Sequence, residues 1–238
     1  NFGTNTTITR MLNSSEIYIV PALNVDGIET VKQNEWQRKN AHPFDEDNDG
    51  MFDEDPPDDE DGDGYIEDLF FWDGNIYEFI RWEGLDDDND GLLNEDWVGG
   101  VDLNRNYGYK WNEPCQTGSP YPEDDDYRGP APFSEPETQA IRDFALAHNF
   151  TYAVSFHSGA EVILYPWGYT DTPTPHNSFF EEIAGNLSSL VNAPYGQSGA
   201  SLYTSSGTWD DWMYANRSTF PFTCEIYENS SAWRYEYG

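Results

Sequence analysis

The run Thr151–Gly168, TYAVSFHSGAEVILYPWG, ends an apolar, strand-like stretch on one histidine, His157, and a second such stretch follows at once. A neutral imidazole at a strand end is a good metal ligand, although a lone histidine in that position is more often a satisfied core or edge residue. A second chemical pairing is Asn104-Arg105, in GVDLNRNYGYKW. A guanidinium fork matches a carboxylate in two parallel hydrogen bonds. The alternative for Asn-Arg-Asn in a loop is a polar turn.

A third pattern repeats three times. Asp45-x-Asp47-x-Asp49-Gly50-x-x-Asp53, Asp59-x-Asp61-x-Asp63-Gly64-x-x-Glu67 and Asp86-x-Asp88-x-Asp90-Gly91-x-x-Asn94 share one phasing. Alternate carboxylates converge when a loop wraps a hard cation, glycine at the sixth position permits the sharp turn, and the groups at seven and nine add ligands. Position twelve is Pro56, Phe70 and Trp97 rather than a bidentate glutamate, so these are not EF-hands. They resemble the short tandem calcium loops of extracellular proteins such as thrombospondin type 3 repeats, which implies up to three Ca2+ sites. The competing reading is a solvated or disordered acidic linker, against which the interleaved aromatics of YIEDLFFWDGNIYEFIRW stand.

The acid is local. Residues 45–96 hold 23 of the 45 Asp and Glu residues and one base, Arg81. A net charge of −34 on 238 residues excludes nucleic acid and anionic membranes as natural partners. With no run of about 18 apolar residues, no membrane span is expected. Six N-x-S/T sequons, at Asn5, Asn13, Asn149, Asn186, Asn216 and Asn229, point to a secreted or cell-surface glycoprotein. Cys115 and Cys224 form either one disulfide or two thiols.

The elements that must position these groups read as α/β. Ile17–Val20 predicts a strand closed by Pro21 and a turn at Asp26-Gly27. A helix begins after Ser134, with Ser134 and Glu137 as a capping box, and carries Ile141, Phe144, Ala145 and His148 at helical spacing. Strands are expected at 152–156, 161–165 and 220–227, and a helix from about Asn177 to Leu190 with Ser178 and Glu181 as its capping box. Alternating strands and helices imply a mainly parallel sheet flanked by helices, with functional groups at the carboxyl ends of strands.

Seven short motifs then occur in one order: NVDG, WQRKN, GVDLNRNY, PFSEPET, SFHS, YTSSGTWDDW and FTCEIY. Together they resemble the zinc carboxypeptidases of the funnelin type, over nearly the whole chain except the acidic insertion. The resemblance implies a mixed, mainly parallel sheet flanked by helices and hydrolysis of the C-terminal bond of peptides and proteins. It implies that His157 is a zinc ligand and that Glu225 is the general base acting on zinc-activated water. Arg38 would polarise the scissile carbonyl. Asn104 and Arg105 would clamp the substrate carboxylate, and Tyr203 would close over it. Asp210 would sit on the floor of the pocket for the terminal side chain, favouring Lys or Arg, with Asp211 in a more general structural place.

The resemblance has gaps. The family's other two zinc ligands come from a His-x-x-Glu motif upstream of NVDG, and no histidine here precedes His42. Gly159 stands where many relatives carry a substrate-binding tyrosine. The expectation is a single, apparently incomplete peptidase domain over 1–238, with 45–96 inserted near the active-site rim. Its two missing zinc ligands would lie outside this chain, and another segment or chain would complete the sheet. The alternative is a calcium-binding surface or adhesion protein on an inactive peptidase scaffold.

Overall fold

In the computed structural model the described residues are 2–31, 38–43, 45, 50–53, 55, 60, 68–72, 74–87, 89, 91, 93, 99–122 and 124–227. Their elements run α1 (Thr6–Ser14), α2 (Val25–Val31), β1 (Asp68–Trp72), β2 (Tyr77–Trp82), a 3-10 turn (Leu103–Arg105), α3 (Pro136–Ala147), β3 (Tyr152–His157), β4 (Ala160–Tyr165), α4 (Asn177–Val191), β5 (Tyr195–Gln197), α5 (Ser198–Ser201), α6 (Trp209–Arg217) and β6 (Phe220–Tyr227).

The central sheet has the order β3-β6-β4-β5. β3 runs parallel to β6 and β4 parallel to β5, while β4 and β6 are antiparallel, because only Ser158 and Gly159 separate β3 from β4. Alternation then assigns the two faces. On one, Phe180 and Ala184 of α4 pack on Ile163, Tyr165 and Phe222. On the other, Tyr107, Ala145 of α3 and Trp212 and Met213 of α6 form a second cluster that reaches Ala153 of β3. This is the mixed, helix-flanked sheet expected from the alternating pattern.

Several local expectations need correction. Ile17–Val20 forms no strand. Neither its N–H nor its C=O groups make a backbone hydrogen bond to a described residue, and a strand without a partner is not a strand. Asp26-Gly27 lies within α2 rather than in a turn. Ser134 does not cap α3: its hydroxyl accepts from Asn106 Nδ2 at 2.8 Å and donates to Glu135 Oε1 at 2.7 Å, so the cap moves to Glu135. α4 begins one residue before Ser178, with His176 as its uncapped N-terminus, and Asn177 Nδ2 donates to Glu181 Oε1 at 2.9 Å. His148 is the C-cap of α3 rather than part of it.

The aromatic stretch of the acidic insertion folds as an antiparallel hairpin, β1 against β2, with a bulge at Leu69/Phe70. Of the expected calcium ligands, Asp45, Asp53 and Asp86 are described. Asp47, Asp49, Asp59, Asp61, Asp63, Glu67, Asp88, Asp90 and Asn94 lie outside the described residues, as does the sequon at Asn229. The other five sequon asparagines are exposed. Cys115 and Cys224 are both free thiols.

Candidate active site

Alternation along β3 and β6 builds the site's floor. Ala153, Ser155 and His157 point one way, and their parallel partners are Pro221, Thr223 and Glu225. His157 and Glu225 are thus cross-strand neighbours near the carboxyl ends of adjacent strands, with His157 Nδ1 4.0 Å from Glu225 Oε1. Ser155 Oγ lies 2.8 Å from His157 Nε2. Burial pushes the imidazole's pKa down and keeps it neutral, with Asp102 and Asp210 pulling upward and Arg105 and Arg38 adding to the depression. Burial raises Glu225 to about 7, against the opposing pull of Arg38 and Arg105. Its Oε2 is buried and has no partner among the described residues. A carboxylate that titrates near neutrality with one oxygen uncommitted can accept and return a proton.

Arg38 is held from both sides. Next to it, Lys39 is buried and donates to Pro122 O at 2.6 Å. Asn40 exchanges hydrogen bonds with Val101, its N–H reaching Val101 O at 3.1 Å and its Oδ1 accepting from Val101 N at 2.8 Å. Asn40 Nδ2 donates to the buried Glu135 at 2.7 Å, and His42 Nδ1 meets the same carboxylate oxygen at 2.8 Å. Gly100, at φ +118°, lets the two chains approach, since a Cβ there would overlap Asn40 O. The half-exposed Arg38 guanidinium then pairs with buried Asp102 at 2.8 Å. Asp102 is the main cause of the raised Arg38 pKa, and Arg38 and Arg105 overcome burial to keep Asp102 ionised below its usual range.

Asp102 also orders the clamp. It caps the 3-10 turn by accepting from Asn104 N at 2.9 Å. Arg105 is buried, donating from Nε to Thr117 Oγ1 at 3.1 Å and from NH1 to Asn104 O at 2.9 Å. Asn104 Oδ1 accepts from Trp209 N at 3.0 Å, which fixes the amide and leaves its nitrogen as a donor. Gly207, at φ +61°, brings its strap close, because a Cβ there would strike Arg105 O. Tyr203 is exposed and lies near enough to Arg38 to interact with its guanidinium electrostatically.

Asp210 and Asp211 begin α6, and both are buried. Asp211 accepts from Gly168 N at 2.8 Å and Tyr169 N at 3.0 Å. Burial and the adjacent Asp210 raise its pKa well above the carboxylate range. Asp210 takes Asp211 N at 3.0 Å and Ser198 Oγ at 3.4 Å, and its charge reaches His157. The structure therefore brings His157, Glu225, Arg38, Asn104, Arg105 and Asp210 into one electrostatic neighbourhood. Asp102, Thr117, Ser155 and the Asn40–Glu135 pair were not singled out from sequence. Asp102 alone had a local signal, the Asp-x-Asn turn that opens GVDLNRN.

A sequence model of the zinc carboxypeptidase family matches residues 1–235. The chain belongs to the zinc carboxypeptidase family. It is similar to human carboxypeptidase A6, 38% identical over 136 residues, which is 53% of this chain and 30% of that protein. Carboxypeptidase B of Astacus astacus is 34% identical over 136 residues, 53% of this chain and 44% of that one. Among solved structures, thrombin activatable fibrinolysis inhibitor superposes with a TM-score of 0.64 at 22% identity, covering 94% of this chain and 46% of that chain. The chain therefore spans less than half the length of these relatives.

The family's zinc does not fit the residues present. Among the described residues no group of three His, Cys, Asp or Glu side chains is placed to hold a metal. The other histidines are engaged elsewhere: His42 with Glu135 at 2.8 Å, His148 with Phe144 O at 2.9 Å and His176 with Tyr214 at 2.7 Å. The described residues thus offer no set of ligands around His157, whose Nε2 lies 2.8 Å from Ser155 Oγ.

Proposed function

We propose that this chain supplies the substrate-binding and proton-transfer half of an extracellular metallocarboxypeptidase that removes C-terminal residues, with preference for Lys and Arg. The observation that carries the reading is Glu225 set beside His157 at 4.0 Å across paired strands, its pKa pushed up to about 7 in the field of two arginines, one paired to Asp102 and one buried. A peptide's terminal carboxylate meets Asn104 and Arg105, whose donors are fixed from behind by Trp209 N and Thr117. Arg38, anchored by Asp102, presents its guanidinium to the scissile carbonyl, where negative charge develops. Glu225 takes a proton from the attacking water and later gives one to the leaving amine. Tyr203 closes the rim, and Asp210 offers a buried carboxylate to a cationic side chain.

The acidic insertion is, in the same reading, a calcium-binding strap. Gly50 and Gly91 take left-handed conformations at φ +101° and +100°, as sharp cation loops require. Asp45 Oδ2 accepts from Gly50 N at 3.2 Å. Asp45 Oδ1 and Asp86 Oδ1, each at position one of its loop, are buried without partners among the described residues. Asp53 Oδ1 accepts from Gly99 N at 2.6 Å, three residues before Asp102, so the strap is tied to the base of the site. No helix among the described residues is long and apolar enough to cross a membrane. The exposed sequons support secretion.

Zinc per chain and release of the terminal residue from benzoyl-Gly-Arg test the reading together. The chain alone should retain less than one zinc after dialysis and be inactive. Supplied with the missing ligands, it should bind one zinc and cleave benzoyl-Gly-Arg faster than benzoyl-Gly-Phe. A zinc-loaded form that cleaves neither would contradict it.

A further inference from the structure

The acidic insertion rises from the base of the site. Its two ends meet where Asn40 N–H donates to Val101 O at 3.1 Å and Val101 N–H donates to Asn40 Oδ1 at 2.8 Å. Arg38 and Asp102, which pair at 2.8 Å, stand just outside that junction. Within the insertion, Gly84 N–H donates to Glu60 Oε1 at 3.2 Å and Asp87 N–H to Asp55 Oδ1 at 3.0 Å. Asp55, Glu83 and Gly84 are buried. The hairpin of β1 and β2 grows from this stem.

The hairpin is apolar on both faces and covered on neither. Successive residues of a strand point to opposite faces, so a hairpin packed flat on the rest of the fold hides every second side chain. Phe70, Phe71 and Trp72 are consecutive in β1, yet they are 49%, 56% and 50% exposed. Ile76 is 55% exposed. Ile80, the residue of β2 that the register skips at the bulge, is 59% exposed. At the tip, Gly74 has φ +100° and nothing within 4 Å of where a Cβ would stand. A two-stranded ribbon is marginal by itself, and this density of exposed apolar side chains exceeds the scatter of an ordinary surface.

The charge around the hairpin says what would cover it. Residues 45–67 hold 13 acids and no base, and residues 86–96 hold six acids and no base. Calcium in all three loops would leave most of that charge in place. A second copy of this chain brings the same charge and is repelled. The complementary partner is a peptide in which Lys or Arg alternates with apolar residues. Its apolar side chains would lie on the hairpin, and its cations would meet the flanking acid and the aromatic faces.

We propose that the hairpin Asp68–Trp82 is a docking surface for the upstream part of a peptide substrate, selecting segments in which basic and apolar residues alternate. The proposal rests on the carboxypeptidase reading for the C-terminus that such a segment leads to, and on the hairpin alone for the docking itself.

Calorimetric titration of the 238-residue chain, with calcium in excess, tests it. The probes are three twelve-residue peptides with C-terminal amides, of alternating Lys-Leu, Lys-Gly and Glu-Leu. Twelve extended residues span roughly 40 Å, more than twice the length of the five-residue β1. Lys-Leu should bind at least about tenfold more tightly than either control. Phe71→Ser combined with Ile80→Ser should leave the melting temperature unchanged, because both side chains are exposed, and remove the advantage over Lys-Gly. Should that variant not fold, the three peptides on the unaltered chain still decide. Four results would overturn the proposal: Lys-Gly binding as well as Lys-Leu, Glu-Leu binding as well as Lys-Leu, an advantage that survives in the folded variant, or self-association of the chain that the variant disperses. Binding of Lys-Leu with no binding of an arginine-terminated tripeptide acid would keep the hairpin as a surface for basic peptides and remove the carboxypeptidase reading. The reverse would keep that reading and remove the docking surface.

Discussion

Charge is concentrated in two regions of this molecule and handled in opposite ways. Around the site the buried acids other than Glu225, whose Oε2 has no partner among the described residues, are met by the protein itself: Asp102 by Arg38 at 2.8 Å, Asp211 by two backbone amides at 2.8 and 3.0 Å, Glu135 by Asn40 and His42. In the insertion 23 acids stand against one base, and the position-one aspartates of two loops keep a buried oxygen without a partner among the described residues. Burying a charge is tolerated only with a partner. The first region carries most of its own counter-charges, as the proposed peptide site would require. In the calcium reading proposed above, the second would take its counter-charges from solution.

The largest effect expected from breaking the first region is at Glu225. Glu225→Gln should lower kcat/KM about a thousandfold in the completed enzyme. Affinity for a C-terminal arginine peptide, measured by calorimetry, should stay unchanged, because the clamp is elsewhere. Next is Asp210→Asn, which should reduce kcat/KM for C-terminal Arg about a hundredfold relative to C-terminal Leu, the scale of losing a desolvated charge partner. Equal losses on both substrates would mean Asp210 is structural.

The second region should respond to its ions. Calcium at a hundred times its dissociation constant should stabilise the chain by about 2.7 kcal/mol. Chelation should therefore lower the melting temperature, and an unchanged melting curve would remove the calcium reading. Asp211→Ala comes next at about 2 kcal/mol, since it leaves two buried amides unpaired, read by urea unfolding.

A pH dependence of comparable size is expected from Glu225. Glu225 rises from 4.5 to about 7 on folding, so the native state holds the proton more tightly than the unfolded chain does. Its contribution is present below pH 4.5 and is lost as pH climbs towards 7, by about 1 kcal/mol per pH unit in that window. Glu225→Gln should remove this slope, and parallel pH–stability curves for the two proteins would contradict it.

The sequence was legible where chemistry and pattern coincide. β3, β4, β6 and α4 follow from apolar runs, and motif order singled out His157, Arg38, Asn104, Arg105 and Glu225, which the structure gathers in one neighbourhood. What was hidden is tertiary. Nothing local reveals that Asp102 anchors Arg38, that Thr117 steadies Arg105, or that Asn106 takes Ser134 away from its cap. Ile17–Val20 reads as a strand because its residues suit one, but a strand exists only with a neighbour. The hairpin at 68–82 was visible only as aromatics spaced among acids.

In the proposed function, the region around Asp102, Asn104 and Arg105 recognises a free C-terminal carboxylate through groups this chain holds by itself. Calorimetric titration of the chain with a tripeptide ending in arginine, and with the same tripeptide as its C-terminal amide, tests it most directly. The acid should bind at least about thirtyfold more tightly, the worth of a charge-assisted contact to Arg105, and Arg105→Lys should remove most of the difference. Equal affinity for acid and amide would contradict it.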